Sequence, residues 1–307
     1  MHLNLPDKIT LIEVGPRDGF QFEKKILPTN LKVEIISDLA DAGLKDIQVT
    51  SFVHPDVVPQ MADAEDLLKR LPKRNDVRYC ALVLNEKGVE RARLSGLEHI
   101  EISISASDTH SRKNAAMPFE KALEKGKEMI RLAQEYKMQI RAGIQCAFGC
   151  VYEGRIPEER VLKIASDFIK LGIQTLAISD TTGMANPLLI KNLIKNLMPK
   201  VGKTPIVLHL HDTRGLGLVN VMAAMECGVT RFDTALAGMG GCPFVSGAAG
   251  NIATEDTAWL MKSLNLETGI DISKVARCSQ KLEKFFEKSF PGKIYRLIRE
   301  KSHQSIY

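Results

Sequence analysis

No stretch of this chain approaches the ~20 consecutive apolar residues that span a bilayer, which argues against an integral membrane protein. Residues 1–8 carry Pro6 and Asp7 and lack the basic-then-apolar layout of a signal peptide. The closing Ser305-Ile306-Tyr307 matches no peroxisomal or retention signal, so the expected location is the cytoplasm. Clustered basic charge is missing too. Lys+Arg 42 and Asp+Glu 37 are interleaved, giving a net charge of +5, and the chain has no nucleic-acid footprint. The mild surplus is compatible with an anionic ligand. There is no cysteine framework: Cys80, Cys146, Cys150, Cys227, Cys242 and Cys278 are scattered through 307 residues, as reduced thiols are. No composition shift marks a linker. At 44% hydrophobic and 26% charged residues the chain reads as neither disordered nor fibrous, and the expectation is one domain over 1–307.

What is present is a rhythm. Short apolar runs at 10–14, 46–50, 77–83, 99–105, 139–145, 175–179, 206–211 and 231–236 start roughly 31 residues apart, room for one strand, one helix and two loops. Helical patterns lie between them, at 30–42, 120–136, 158–171, 187–197 and 216–227. Thr29 or Asn30 is placed to cap the first, and Asn186 before Pro187 opens another. Gly43, Gly172 and Gly228 stand just past helical patterns, as left-handed C-terminal caps do. Eight such units fit an α/β fold of the (β/α)8 barrel type. A doubly wound sheet competes, but the turn after the first run reads Gly15-Pro16-Arg17-Asp18-Gly19 and is not G-x-G-x-x-G. The barrel is expected over about 9–264. A short C-terminal helical extension, with one amphipathic helix near 271–288, occupies about 265–307.

In such barrels chemistry sits at the carboxyl ends of the strands. His209 and His211 alternate onto one face, about 7 Å apart along the strand, and can close on one metal or serve as structural histidines inside the barrel. Asp18 is a candidate anionic ligand, and Arg17 can stabilise negative charge developing on a substrate oxygen; a local Arg–Asp pair is the alternative. Asp180 either serves the site or caps the following turn. Gly238, Gly240 and Gly241 precede Cys242 on a loop that can lie against a ligand, and Asn251 offers a carboxamide oxygen or a helix cap. Cys146 and Cys150 lack a second cysteine pair, so zinc is not expected there and loop or core thiols are. The mixed N/O set suits a divalent ion such as Mg²⁺ or Mn²⁺, with Zn²⁺ also compatible.

The stretch Ile12-Glu13-Val14-Gly15-Pro16-Arg17-Asp18-Gly19-Phe20-Gln21 resembles the first signature of the 3-hydroxy-3-methylglutaryl-CoA lyase family. Ser51-Phe52-Val53 with Val58-Pro59-Gln60-Met61, the segment 146–154, His209-Leu210-His211-Asp212-Thr213 and the segment 238–256 carry the same resemblance. It runs from about residue 9 to about residue 270. It implies a TIM-barrel metallolyase that releases acetyl-CoA and a keto acid from an acyl-CoA substrate, with no nucleic-acid or membrane partner and a possible homodimer. By motif, Asp18, His209, His211 and Asn251 hold the metal, with His209 also counted as catalytic. Arg17 stabilises the enolate, Cys242 takes part in proton transfer, and Asp180 is a further acid–base or orienting group. One departure concerns strand two, where the family usually reads Glu-x-Thr-Ser-Phe and this chain reads Gln48-Val49-Thr50-Ser51-Phe52. Ala177, Val151 and Arg214 also depart, standing where a hydroxyl residue, Pro and Tyr are usual. The departures bear on the acyl tail more than on the reaction class. Hydroxymethylglutaryl-CoA is the expected substrate, and a related 3-hydroxyacyl-CoA is the alternative. A condensing enzyme of the isopropylmalate synthase type fits less well, because the chain runs only about 40 residues past the barrel.

Overall fold

The computed structural model describes residues 5–241 and 249–300. Eight parallel strands close a barrel in sequential order: β1 (Thr10–Glu13), β2 (Asp46–Phe52), β3 (Arg78–Val83), β4 (His99–Ser105), β5 (Gln139–Gln145), β6 (Thr175–Ser179), β7 (Ile206–His209) and β8 (Arg231–Thr234), the last pairing with β1. Parallel strands buried on both faces read as near-continuous apolar runs, which is why the rhythm was visible in the sequence. Around them, in chain order, stand α1 (Thr29–Asp41), α2 (Ala64–Arg70), α3 (Glu86–Leu94), α4 (Asp108–Ala115), α5 (Phe119–Glu135), α6 (Glu158–Lys170), α7 (Pro187–Val201), α8 (Gly217–Met225), α9 (Thr254–Ser263), α10 (Ile272–Phe286) and α11 (Ile294–Glu300). No helix among the described residues is long and apolar enough to cross a membrane.

The core lies mainly between strands and helices. One apolar layer joins Ile100, Ile102, Phe168, Leu208 and Phe232. Another lies under α1 and α10, where Ile35, Leu39, Ile47, Val275 and Leu282 meet. Inside the barrel the apolar packing is thin, a cluster of Ile12, Val14, Ala177, Val207 and Ala235. Val207 and His209 therefore face inward while Leu208 faces the helices, the alternation that parallel strands impose. A bulge shifts the β2–β3 register between Gln48 and Thr50, the device by which a strand re-aims a side chain.

Two expectations need correction. Neither Thr29 nor Asn30 caps α1: its N-cap is Pro28, the Thr29 hydroxyl donates to Asp63 Oδ2 at 2.7 Å, and Asn30 Oδ1 accepts from Arg70. Both side chains are drawn away to anchor α2. The C-terminal region also holds more than the one helix expected near 271–288. Beyond α10, whose N-cap Asp271 accepts from Lys274 N, the chain adds α11. Tyr295 is fully buried, Gly292 N donates to Ala237 O at 2.8 Å, and Asp256 accepts from the N–H groups of Lys293 and Ile294. These contacts tie the extension to the loop that follows β8.

Asn186 caps α7 as expected, accepting from Leu188 N and Leu189 N. Gly43, Gly172 and Gly228 hold φ of 101°, 75° and 85°. Gly43 is also pressed against the segment before α10, where an added Cβ would lie 2.1 Å from Gly269 O. Gly43→Ala therefore combines backbone strain with a clash and should cost about 1–3 kcal/mol in urea unfolding. Gly172→Ala, whose Cβ would meet nothing nearer than 3.7 Å, should cost less. Equal losses would show that the Gly269 contact is unimportant.

Candidate active site

A single five-residue turn, Gly15–Gly19, follows β1 and is buried throughout. Pro16 opens it, and the Gly15 N–H donates to Glu13 Oε1 at 2.8 Å. The turn presents Arg17 and Asp18 at the carboxyl end of the barrel, where they line a cavity of about 570 Å³ with Glu101, His209 and His211. His209 is the last residue of β7. His211 lies just past it, where Asp212 N donates to Gly250 O and Ile252 N to Leu210 O. That backbone pairing sets Asn251 opposite His211.

Asp18, His209 and His211 each offer one ligand atom, all within 4.8 Å of one another. His209 Nε2 lies 3.1 Å from His211 Nε2 and 3.9 Å from Asp18 Oδ2. Asp233 Oδ2 sits 3.0 Å from His209 Nδ1, so that nitrogen donates to the carboxylate and Nε2 is the nitrogen turned toward His211 and Asp18. Burial, with His209 nearby, pulls the His211 pKa down to about 3, so its ring stays neutral. Two nitrogens at this separation and a carboxylate oxygen form a set that a divalent cation satisfies. Burial pushes the Asp18 pKa up, but Arg17 and both histidines outweigh it and hold the carboxyl below its usual range. Asn251 Nδ2 donates to Asp18 Oδ2 at 2.7 Å and to Met239 O at 2.9 Å, while its Oδ1 is buried without a partner. Gly240 makes room for that carboxamide, since a Cβ there would lie 2.4 Å from Asn251 Nδ2. A carboxylate, two imidazoles and an orphaned amide oxygen fit a divalent metal ion.

A ring of charge surrounds this cluster inside the barrel. Arg141 Nη1 donates to Asp233 Oδ1 at 2.9 Å, and Arg141 Nε lies 3.1 Å from Glu101 Oε2. Gln48 Nε2 donates to Glu101 Oε2 at 2.7 Å, and Gln48 Oε1 accepts from Arg17. Arg17 in turn pairs with Asp18. Although burial raises it, Asp233 is held well below the usual carboxylate range by Arg141 and His209.

Arg17, Asp18, Gln48, His209, His211 and Asn251 are thus brought together. Asp180 is not among the cavity's lining residues. Its Oδ1 accepts from Met184 N and Ala185 N, its Oδ2 is buried without a partner, and burial raises its pKa to about 7. Cys242 lies outside the described residues. Cys146 and Cys150 are buried free thiols, with the Ser107 hydroxyl 3.1 Å from Cys150 Sγ. Sequence reasoning missed Glu101, Arg141 and Asp233. Their signal was a charged residue between uncharged neighbours inside a strand pattern: Ile100-Glu101-Ile102, Ile140-Arg141-Ala142 and Phe232-Asp233-Thr234.

Two further buried acids hold the root of the loop after β8. Glu13 accepts from Leu236 N at 2.9 Å as well as from Gly15 N, and the Thr254 hydroxyl donates to its other oxygen. Glu255 accepts from Ala237 N and from the Ser279 hydroxyl. Burial raises the Glu13 pKa from 4.5 to about 8 and that of Glu255 to about 7.

The HMGL-like family model matches residues 8–282. The mitochondrial hydroxymethylglutaryl-CoA lyase of Mus musculus is 38% identical over 271 residues, 88% of this chain and 83% of that one. The Bacillus subtilis hydroxymethylglutaryl-CoA lyase is 36% identical over 288 residues, 94% of this chain and 96% of that one. A solved HMG-CoA lyase from Acinetobacter baumannii, in complex with coenzyme A and 3-methylmalate, superposes with a TM-score of 0.92 at 35% identity, covering 98% of each chain.

The protonated acids give folding stability a signed pH dependence. Glu13 binds its proton in the fold up to about pH 8, whereas the unfolded chain releases it near 4.5. Its contribution is therefore fully present below 4.5 and is lost as pH rises toward 8. Glu13→Gln, which keeps an acceptor oxygen and supplies a donor, should flatten the fall in stability measured by urea unfolding between pH 5 and 8, relative to wild type. An unchanged slope would show that Glu13 is ionised in the fold.

Proposed function

The chain belongs to the HMGL-like family, and from that premise we propose that it is a divalent-metal-dependent carbon–carbon lyase, cleaving hydroxymethylglutaryl-CoA to acetyl-CoA and acetoacetate. The observation that carries this reading is the convergence of Asp18, His209 and His211 ligand atoms beside Arg17 at the mouth of one cavity. Asp18, His209, His211 and Asn251 would hold the ion, with Mg²⁺ or Mn²⁺ matching the N/O set. When bound, the ion supplies Lewis acidity that lowers the pKa of the substrate's tertiary hydroxyl.

The residues do the rest. The 3-hydroxyl releases its proton to solvent, its oxygen lone pair forms the ketone of acetoacetate, and the bond between C2 and C3 breaks. The electron pair moves onto C2 and is delocalised into the thioester carbonyl as an enolate. Arg17, buried and already oriented by Gln48 and Asp18, sets its guanidinium against that negative charge. A proton returned to C2 completes acetyl-CoA, and Cys242 is assigned to that transfer by motif. Asp180 is assigned an orienting role, since its Oδ1 binds the backbone of the loop between β6 and α7. Asp233 keeps the His209 tautomer constant through the cycle.

A related substrate with a polar acyl tail is the second reading. Gln145 and Ser179 line the cavity, their backbone carbonyls accepting from Ala106 N and Ala147 N, and their polar side chains suit a hydrogen-bonding tail.

Purified protein with Mg²⁺ or Mn²⁺ should release acetyl-CoA from hydroxymethylglutaryl-CoA, and EDTA should abolish the release. His211→Ala should weaken Mn²⁺ binding, measured by calorimetry, by more than the roughly 10–100-fold typical of outer partners of a metal site. The same assay on 3-hydroxyacyl-CoA esters differing in the tail ranks the two substrates by kcat/KM. No acetyl-CoA from any of them would overturn the proposal.

A further inference from the structure

Gln48 stands where the family usually carries a carboxylate, and in this chain its amide is committed at both ends. Oε1 accepts from Arg17 Nε and Nε2 donates to Glu101 Oε2 at 2.7 Å. The orientation of that amide is dictated by chemistry: Arg17 has only donors and the Glu101 oxygen facing Nε2 accepts, so oxygen faces the first and nitrogen the second. Glu101 is itself held. The Ser103 hydroxyl donates to its Oε1 at 2.6 Å, and Arg141 Nε lies 3.1 Å from its Oε2. Gly143, paired with Ser103 in the β4–β5 register, supplies the space. A Cβ at 143 would lie 2.0 Å from Ser103 Oγ and 3.0 Å from Glu101 Oε1. Gln48, Glu101, Ser103 and Gly143, on three strands, therefore suit one another. A glutamate at 48 would set two carboxylates against each other about where the 2.7 Å hydrogen bond now lies.

We infer that Glu101 is a positioning residue for the lyase reaction, a carboxylate on β4 in place of the family's carboxylate on β2, acting through the Gln48 amide to aim the Arg17 guanidinium. This rests on the lyase reading above. Without Glu101 the Gln48 Nε2 loses its acceptor, the amide is anchored only from the Arg17 side, and it no longer holds the guanidinium in its orientation toward the enolate.

The test is a swap. Glu101→Gln and Gln48→Glu are made singly and together in the full chain, with kcat and KM for hydroxymethylglutaryl-CoA and thermal unfolding measured for each. Each single change should lower kcat about 10–100-fold with KM altered less than about threefold, the range expected when an outer partner of a site is lost. The double variant, which restores one carboxylate and one amide, should recover to within about fivefold of wild-type kcat. A merely structural role would lower thermal stability without the kcat-selective loss and its rescue. The inference is overturned if Gln48→Glu is as active as wild type, if Glu101→Gln leaves kcat unchanged, or if the double variant is no better than the worse single one. Should wild type itself cleave no substrate, the lyase reading fails separately. The pairing is then judged by unfolding midpoints alone: recovery in the double variant supports it, and additive losses overturn it.

Discussion

A charge buried inside a barrel must find its partner there, and that requirement organises this molecule's polar interior. From Asp233 the partners run through Arg141 to Glu101, from Glu101 through Gln48 to Arg17, and from Arg17 to Asp18. Among these described residues three carboxylates face two guanidinium groups, an excess of one negative charge. The excess lies beside two imidazoles whose nitrogens point at each other. A dication turns the deficit into a surplus of one positive charge, which matches a substrate carrying a carboxylate and CoA phosphates. The chain's mild basic balance of +5 matters less to that match than this buried arithmetic does.

The cluster depends on a frame that is apolar on one side only. Ile12, Val14, Ala177, Val207 and Ala235 fill part of the barrel interior with packing and leave the walls from β2, β4 and β5 to polar groups. A ligand entering from the carboxyl ends therefore meets hydroxyls, amides and charges instead of a sealed core. Functional groups on strands, with neighbours locking each rotamer, are held more exactingly than groups on loops.

The start of the loop after β8 is held by buried acids. Glu13 and Glu255, both buried and both with raised pKa values, take the backbone N–H groups of Leu236 and Ala237. Glu13 also binds the Gly15 N–H, so one side chain joins the turn that bears Arg17 and Asp18 to the start of the loop. The C-terminal extension closes the same corner through Gly292 and Asp256. Far from a loose tail, that segment braces the site's edge.

Much of this was legible in the residues alone. Eight mostly apolar runs at near-regular spacing implied the barrel, because strands covered by helices keep their outward positions apolar even where, as in β4, the inward positions are polar. The placement of His209, His211, Asp18 and Arg17 at strand ends followed from the same reading, since period-2 geometry is local. The N-terminus of α1 was misread because its capping candidates serve a helix 34 residues away in sequence, a demand no local pattern records. Glu101, Arg141 and Asp233 were invisible for a related reason. Each is an ordinary charged residue in its own strand, and only barrel closure sets 141 against 233, which are 92 residues apart in the chain. Local sequence determined which residues face inward. Tertiary structure alone decided which of them meet, because ion pairs and amide orientation depend on distances that no spacing along the chain encodes.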